Sequence, residues 1–353
     1  MFETIVENGK ARIGLLHVKN GEIETPTFFP VHDLRPDSSY NTPRYWEIFK
    51  EINNGMFNAS LIQLFSKEKL NKLFDIGLRK YLNFNGNIFM DSGGYIYKKY
   101  GLSVKQEKLL ETQEKLDADI ASTLDYPDLT NKKFTTNNIL MSVENAKKCL
   151  MNKKDEGMLL YASIHGYDPF IIRNVIRHLR NYGEFDGYAL GSLMKIYSDY
   201  SFLTDMILTI KREIKDKPLH VYGLGGIVII PLLIYLGVDS MDSSSFVIAA
   251  SNKSYFMPNF NRISIHNIKE DLSTICNCKI CEKYSKNEIV NSRELLSYHN
   301  IWVLWKEIEK TKKGITEGIF EKYLKNRFCN NAWARLAFKY ARRKLRLGLK
   351  GDS

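Results

Sequence analysis

Met158-Leu159-Leu160-Tyr161-Ala162-Ser163-Ile164-His165, the polar-apolar stretch 169–182, and Asp186-Gly187-Tyr188-Ala189-Leu190-Gly191 read as strand, helix, strand. The two outer runs are short, apolar and β-prone, and the segment between them carries apolar residues at helical spacing. The same alternation extends in both directions. Strand-like runs fall at 27–31, 60–65, 87–91, 119–125, 220–224 and 238–242, and amphipathic helices at 103–116, 137–151 and 200–214. Strand alternating with helix predicts a parallel sheet covered by helices, and eight such units predict a closed (β/α)8 TIM barrel rather than an open sheet. After residue 242 the pattern changes to loops, a cysteine cluster and Lys/Arg-rich helices. With no Gly/Ser-rich linker and no repeat, this is expected to be an appendage fastened to the barrel: a catalytic barrel at 1–255, then a zinc-binding lobe and basic C-terminal helices at 256–353.

The appendage opens on Cys276, Cys278 and Cys281, with His299 following after a polar stretch. Three thiolates and an imidazole suit tetrahedral zinc and fill all four positions, so no position is left for substrate or activated water. The expected cofactor is one structural zinc. Only Cys149 and Cys329 lie outside the cluster, and five cysteines with zinc spacing do not suggest a disulfide framework. The most apolar run, 226–237, is too short to span a membrane and is interrupted by Pro231. The first residues lack the features of a signal peptide, and a reducing cytoplasm is the expected compartment.

Lys and Arg number 51 against 40 Asp and Glu, for a formal charge of +11, which favours a polyanionic partner. From residue 333 to 350 there is no acidic residue, and Arg335, Lys339, Arg342 and Arg346 recur at three- and four-residue steps along one face of a predicted helix. Leu336, Tyr340 and Leu347 lie on a neighbouring face suited to docking. Such a basic stripe matches a phosphate backbone.

Barrel enzymes place their chemistry at the carboxyl ends of the strands. Asp91, in Asp91-Ser92-Gly93-Gly94-Tyr95, Asp125, His165, Gly191 and Asp242 all stand at such ends. Three carboxylates are therefore expected to converge on one cavity, beside small residues that let a ligand approach the backbone. Singly, each of these residues is as well suited to capping a helix or ending a strand.

The motifs occur in an ordered series: Asp91-Ser92-Gly93-Gly94-Tyr95, then Leu116-Asp117-Ala118-Asp119-Ile120 with Leu124-Asp125-Tyr126-Pro127, then Gly187-Tyr188-Ala189-Leu190-Gly191-Ser192-Leu193. His220-Val221-Tyr222-Gly223-Leu224-Gly225, Gly237-Val238-Asp239-Ser240-Met241-Asp242-Ser243-Ser244-Ser245-Phe246 and the zinc cluster follow. This order resembles the tRNA-guanine transglycosylase superfamily. The likeness implies exchange of guanine in a polynucleotide for a 7-deazaguanine without backbone cleavage. It implies Asp242 as the nucleophile at the sugar anomeric carbon and Asp91 as the general acid/base. Asp125 would then accept hydrogen bonds from the base, with Ser92, Gly93, Gly94, His165, Gly191, Ser192 and Leu193 forming the slot and Tyr95 stacking on the heterocycle. Two displacements at one carbon, by a carboxylate nucleophile and a carboxyl acid/base, is also how retaining glycosidases work. A paired base cannot reach such a slot, so the target nucleotide is expected to be unpaired or flipped out.

The resemblance departs at two places in the slot: His165 stands where glutamine is usual and Ser192 where a second glycine is common. The residues after Asp242 are similar to the archaeal type and lack the Pro-Thr-Arg stretch of bacterial queuosine enzymes. The sequence stops at Ser353 without the C-terminal RNA-binding domains typical of archaeal enzymes. On that ground DNA is favoured as the polynucleotide, with tRNA as the alternative; a non-catalytic nucleic-acid-binding subunit and a sugar-processing glycosidase are the rival classes. A homodimer is left open.

Overall fold

The computed structural model describes the chain apart from residues 35–43, 53–54, 60–65, 128–135, 194–197, 260 and 349–353. Eight parallel strands form its centre: β4 (Thr27–Pro30), β5 (Gly55–Ala59), β6 (Asn87–Asp91), β7 (Ile120–Ser122), β8 (Leu159–Ile164), β9 (Gly187–Leu190), β10 (Leu219–Val221) and β11 (Ser240–Ser243). They pair in the order β4-β11-β10-β9-β8-β7-β6-β5. A parallel bridge between Val31 and Phe57 brings the two ends of that order together, and the His32 amide donates to the Phe57 carbonyl at 2.9 Å. The eight-stranded α/β barrel expected from the alternation is present. Its second strand lies at Gly55–Ala59, upstream of the expected 60–65, and that expected run falls outside the described residues.

Side-chain parity along each strand separates two cores. Ile88, Met90, Leu160, Ala162, Ile164, Tyr188 and Leu190 face outward into the layer shared with the helices. Phe29, Phe57, Phe89, Ile120, Leu159, Tyr161 and Ala189 face inward and fill the barrel. The inner aromatics pack edge-on or tilted, with Phe89 5.7, 5.2 and 5.4 Å from Phe29, Phe57 and Tyr161; each buried ring contributes about 1.5–3 kcal/mol relative to exposure.

An element that the alternation did not foretell precedes the barrel: an antiparallel sheet of β1 (Phe2–Asn8), β2 (Ala11–Val18) and β3 (Gly21–Thr25). Its Leu16 and Ile23 join the inner core. Arg12 clamps the buried Asp239 with Nε and Nη2 at 2.7 and 3.0 Å, and Asn20 donates to Asp119 from its amide and side chain. Asp239 and Asp119 immediately precede β11 and β7, so the sheet stoppers the amino end of the barrel, opposite the strand ends that carry the carboxylates.

Beyond the barrel come the hairpin β12 (Ser254–Met257) and β13 (Asn261–Ser264), three short helices, and the helices Arg293–Thr316, Phe320–Arg327 and Ala332–Gly348. The hairpin spans the seam expected at residue 255. Asn300, fully buried on the long helix, accepts from the Phe256 amide and donates to the carbonyls of Phe246 and Ser254. It thereby ties the lobe to the helix Ser245–Ser251 that directly follows β11.

Candidate active site

Asp91, the last residue of β6, points inward because Phe89, two residues earlier, does. Its Oδ1 accepts from Ser122 Oγ at 3.1 Å and its Oδ2 from the Gly93 amide at 3.0 Å. Burial, the charge of Asp125 and, more weakly, that of Asp242 push its carboxyl from an ordinary 3.8 up to about 7, against the hydrogen bonds from the Gly93 and Ser92 amides. Asp91 is thus poised to hold or release a proton at neutral pH.

Asp125 lies in the segment after β7. Ser92 Oγ donates to its Oδ1 at 2.8 Å, and its Oδ2 lies 2.8 Å from His165 Nε2. His165 Nδ1 in turn lies 3.1 Å from Ser192 Oγ. Ser192 sits at φ 66°, left-handed backbone that favours glycine, and its hydroxyl makes the contact that a glycine would lack. The approach is close: a Cβ on Gly191 would come within 2.4 Å of the His165 ring, and one on Gly94 within 2.2 Å of the Asp125 carbonyl. The structure therefore gathers Ser92, Gly93, Gly94, Asp125, His165, Gly191 and Ser192 into one contiguous cluster beside Asp91. Leu193 is buried directly after it, whereas Tyr95 is half exposed at the rim.

Asp242 occupies the inward position of β11. Its Oδ1 accepts from the Gly223 amide at 3.0 Å and lies 3.1 Å from His220 Nε2. His220 is the inward residue of β10, in register with Ser240, whose Oγ is 2.9 Å from Nδ1. Tyr222 follows at the next inward position; its hydroxyl lies 3.0 Å from Ser163 Oγ, and burial first, then the nearby Asp91 and Asp125 charges, push the phenol well above its ordinary value. Ser122, Ser163, His220, Tyr222 and Ser240 were not anticipated as site residues. The signal they share is a polar side chain at inward parity on a barrel strand or directly after it; only Ser240 also stands two residues before a strand-end carboxylate on its own strand.

The Sγ atoms of Cys276, Cys278 and Cys281 and a ring nitrogen of His299 all lie within 4.8 Å of one another, and all four residues are buried. His299 Nε2 contacts the Phe256 carbonyl at 2.9 Å, so Nδ1 faces the sulfurs, 3.5 Å from Cys278 and 3.3 Å from Cys281. A tetrahedral zinc with bonds of about 2.0–2.3 Å has ligand edges of about 3.5 Å, so the set fits that ion and leaves it no open position. The outer packing also fits: Tyr255 stacks on His299 at 3.7 Å and its hydroxyl contacts Cys281 Sγ. These four residues can hold a structural metal.

The basic helix Ala332–Gly348 forms as expected, and of Leu336, Tyr340 and Leu347, expected to dock it, only Tyr340 does. Ala334, Ala337, Phe338 and Ala341 are buried, whereas Leu336 and Leu347 are 49% and 60% exposed; small alanines let the helix sit close to its neighbour, Tyr200–Ile214, to which Tyr340 donates through Asp205. Of the stripe, Arg342 pairs with Glu321 at 2.9 Å and Arg335 donates to the Cys329 carbonyl. Lys339 and Arg346 project into solvent.

An eight-stranded α/β barrel with Asp91 and Asp242 at the carboxyl ends of β6 and β11, followed by a lobe with a Cys3His set, is the architecture on which a comparison with known proteins bears. The chain belongs to the queuine tRNA-ribosyltransferase family, whose profile it matches over residues 7–332. It is 26% identical to a tRNA-guanine(15) transglycosylase of Thermococcus onnurineus across 90% of this chain and 55% of that protein. Proteins with the same name from Methanococcus maripaludis strain C5 and Pyrococcus abyssi are 26% and 27% identical across 90% of this chain and 50% and 54% of theirs. The chain thus spans about half the length of these relatives.

Proposed function

We propose that this protein exchanges a guanine in tRNA for a 7-deazaguanine base through a covalent aspartyl-glycosyl intermediate. The observation that carries the reading is the division of labour between Asp91 and Asp242: one carboxyl lifted to about 7 and one held by two N–H donors. Asp242 attacks the anomeric carbon while protonated Asp91 supplies a proton to the departing base; Asp91, now ionised, takes a proton from the incoming base as that base displaces Asp242. Asp125, oriented by Ser92 and His165, accepts from the donor edge of the heterocycle, with the Gly191–Leu193 segment as one wall and Tyr95 at the rim. The zinc set and its lobe stiffen residues after Asp242 and take no part in the chemistry. Lys339 and Arg346 guide the phosphate backbone, with Arg335 and Arg342 contributing from their paired positions.

The preference for DNA drawn from the sequence gains no support from the relatives, whose names specify tRNA. That preference rested on where the sequence stops, and with this ground set aside tRNA is the better-supported polynucleotide. Both carboxylates are retained with their partners, which argues against a non-catalytic subunit. Incubation with labelled guanine and, separately, bulk tRNA, single-stranded DNA or duplex DNA tests the reading: label is expected in tRNA. Label confined to DNA reassigns the substrate, and label in none of the three overturns the proposal.

A further inference from the structure

The two oxygens of Asp242 are not equivalent. Oδ1 faces two donors, the Gly223 amide at 3.0 Å and His220 Nε2 at 3.1 Å. Among the described residues no hydrogen bond is formed to Oδ2. A carboxylate only accepts, so the ring nitrogen facing it must carry hydrogen. The other nitrogen, Nδ1, then accepts from the Ser240 hydroxyl at 2.9 Å. The surroundings of the ring are aromatic: Phe57 lies parallel to it at 5.6 Å, with Phe89 at 4.5 Å and Tyr222 at 5.2 Å. Burial pushes the imidazole below its ordinary range, which keeps it neutral with a single ring proton.

We infer that Asp242 attacks through Oδ2, and that His220, set as the Nε2–H tautomer by Ser240, is the positioning residue that holds the carboxylate in that orientation. The inference deepens the transglycosylase reading and its attacking-atom half rests on it. In the first step the bond from Oδ2 to the anomeric carbon forms as the bond from that carbon to the base breaks; the electron pair leaves with the base, which gains the Asp91 proton. In the second step the incoming base gives its proton to Asp91, bonds to the same carbon and returns the electron pair to Oδ2. His220 neither gains nor loses a proton in either step. It keeps the lone pairs of Oδ1 occupied, so that the rotation of the carboxylate presents one oxygen to the sugar. Neighbouring donors that fix a reacting group before reaction require no rearrangement at the moment of bond formation.

Two measurements test this on the full chain. The first is the ring 15N spectrum of histidine-labelled protein, with His220→Phe identifying one resonance set among the seven histidines. A neutral Nε2–H pattern is expected, shifted in Asp242→Asn; an Nδ1–H or doubly protonated ring overturns the inference whatever the activity. The second is the rate of covalent adduct formation with tRNA for His220→Phe and His220→Gln, alongside melting temperature and tRNA affinity. His220→Phe keeps a flat ring in an aromatic cage but lacks the donor, and should slow adduct formation about 10- to 100-fold, the loss of one hydrogen bond to a charged group, with affinity unchanged. His220→Gln, which carries an N–H at similar reach, should recover most of that rate. Normal rates in His220→Phe overturn the inference, as do equally slow rates in both variants when both remain folded. If the unmodified protein forms no adduct with any polynucleotide, the transglycosylase reading and the attacking-atom assignment fail together, while the spectrum still decides the contact between His220 and Asp242.

Discussion

At the scale of single residues, the lifted carboxyl of Asp91 has consequences for both rate and stability. Adduct formation needs its proton and should decline as pH rises through about 7, whereas release of the new nucleoside needs its carboxylate and should decline below that pH. Separate single-turnover pH profiles for the two half-reactions check this. Between 3.8 and about 7 the unfolded chain has lost the Asp91 proton and the folded chain retains it. Fewer protons bound on unfolding means that this group makes stability fall as pH rises across that window, with no further change above it. Asp91→Asn should therefore gain thermal stability over the unmodified protein as pH is raised from about 4 to about 7, by on the order of a few kcal/mol. Asp242→Asn keeps shape but removes the proposed nucleophile, and exchange should drop by at least about a thousandfold with tRNA affinity retained; a trapped adduct in that variant would place the nucleophile elsewhere. The carboxylates were legible in the sequence because they end strands beside small residues. Their partners were not. Ser122, His220, Ser163 and Tyr222 lie at inward positions of strands that read as apolar runs, and only pairing of the strands brings His220 level with Ser240 and Asp242 within its reach.

At the scale of elements, the terminal helix shows how charge periodicity and packing separate. The basic steps were readable and Tyr340 docks as expected, but alanines, which allow close approach, carry the rest of the face in place of the larger Leu336 and Leu347. Lys339→Glu combined with Arg346→Glu should weaken tRNA binding and lower the slope of affinity against salt by about two, since each phosphate that no longer meets a cation keeps about one counterion on binding. An unchanged slope would leave the helix as a solvated surface. The cysteine lobe was legible from ligand type and spacing alone, and a closed site of this kind contributes folding energy. Chelation, or Cys278→Ser, should lower the melting temperature and abolish stoichiometric zinc by metal analysis. Because Asn300 follows His299 and bonds the backbone of Phe246, the loosening should reach the helix behind Asp242, and protection from hydrogen exchange at residues 245–251 should fall in the metal-free protein.

Across the whole molecule, the barrel was read from alternation of strand and helix, while the N-terminal sheet escaped because it is an antiparallel meander with no helix between its strands, β1 being mostly exposed and β2 buried over Ala11–Gly14. That stopper is fixed by a buried charge cluster: Asp239 meets Arg12 at 2.7 Å and Lys211 at 3.3 Å, and together they hold its carboxyl below the usual range despite burial. Arg12→Ala should lower stability by about 3 kcal/mol, as removal of one partner from a buried pair does, with little change in the rate of adduct formation. Thermal melting and single-turnover assays would separate the two effects.

The pairing of β4 with β11 sets an order of events during synthesis. Residues 27–30 wait beside an open edge until residues 240–243 have left the ribosome, and Arg12 waits as long for Asp239. The strand that completes the ring is the one bearing Asp242, so in a nascent chain the proposed nucleophile is not in place at any stage before the barrel is shut.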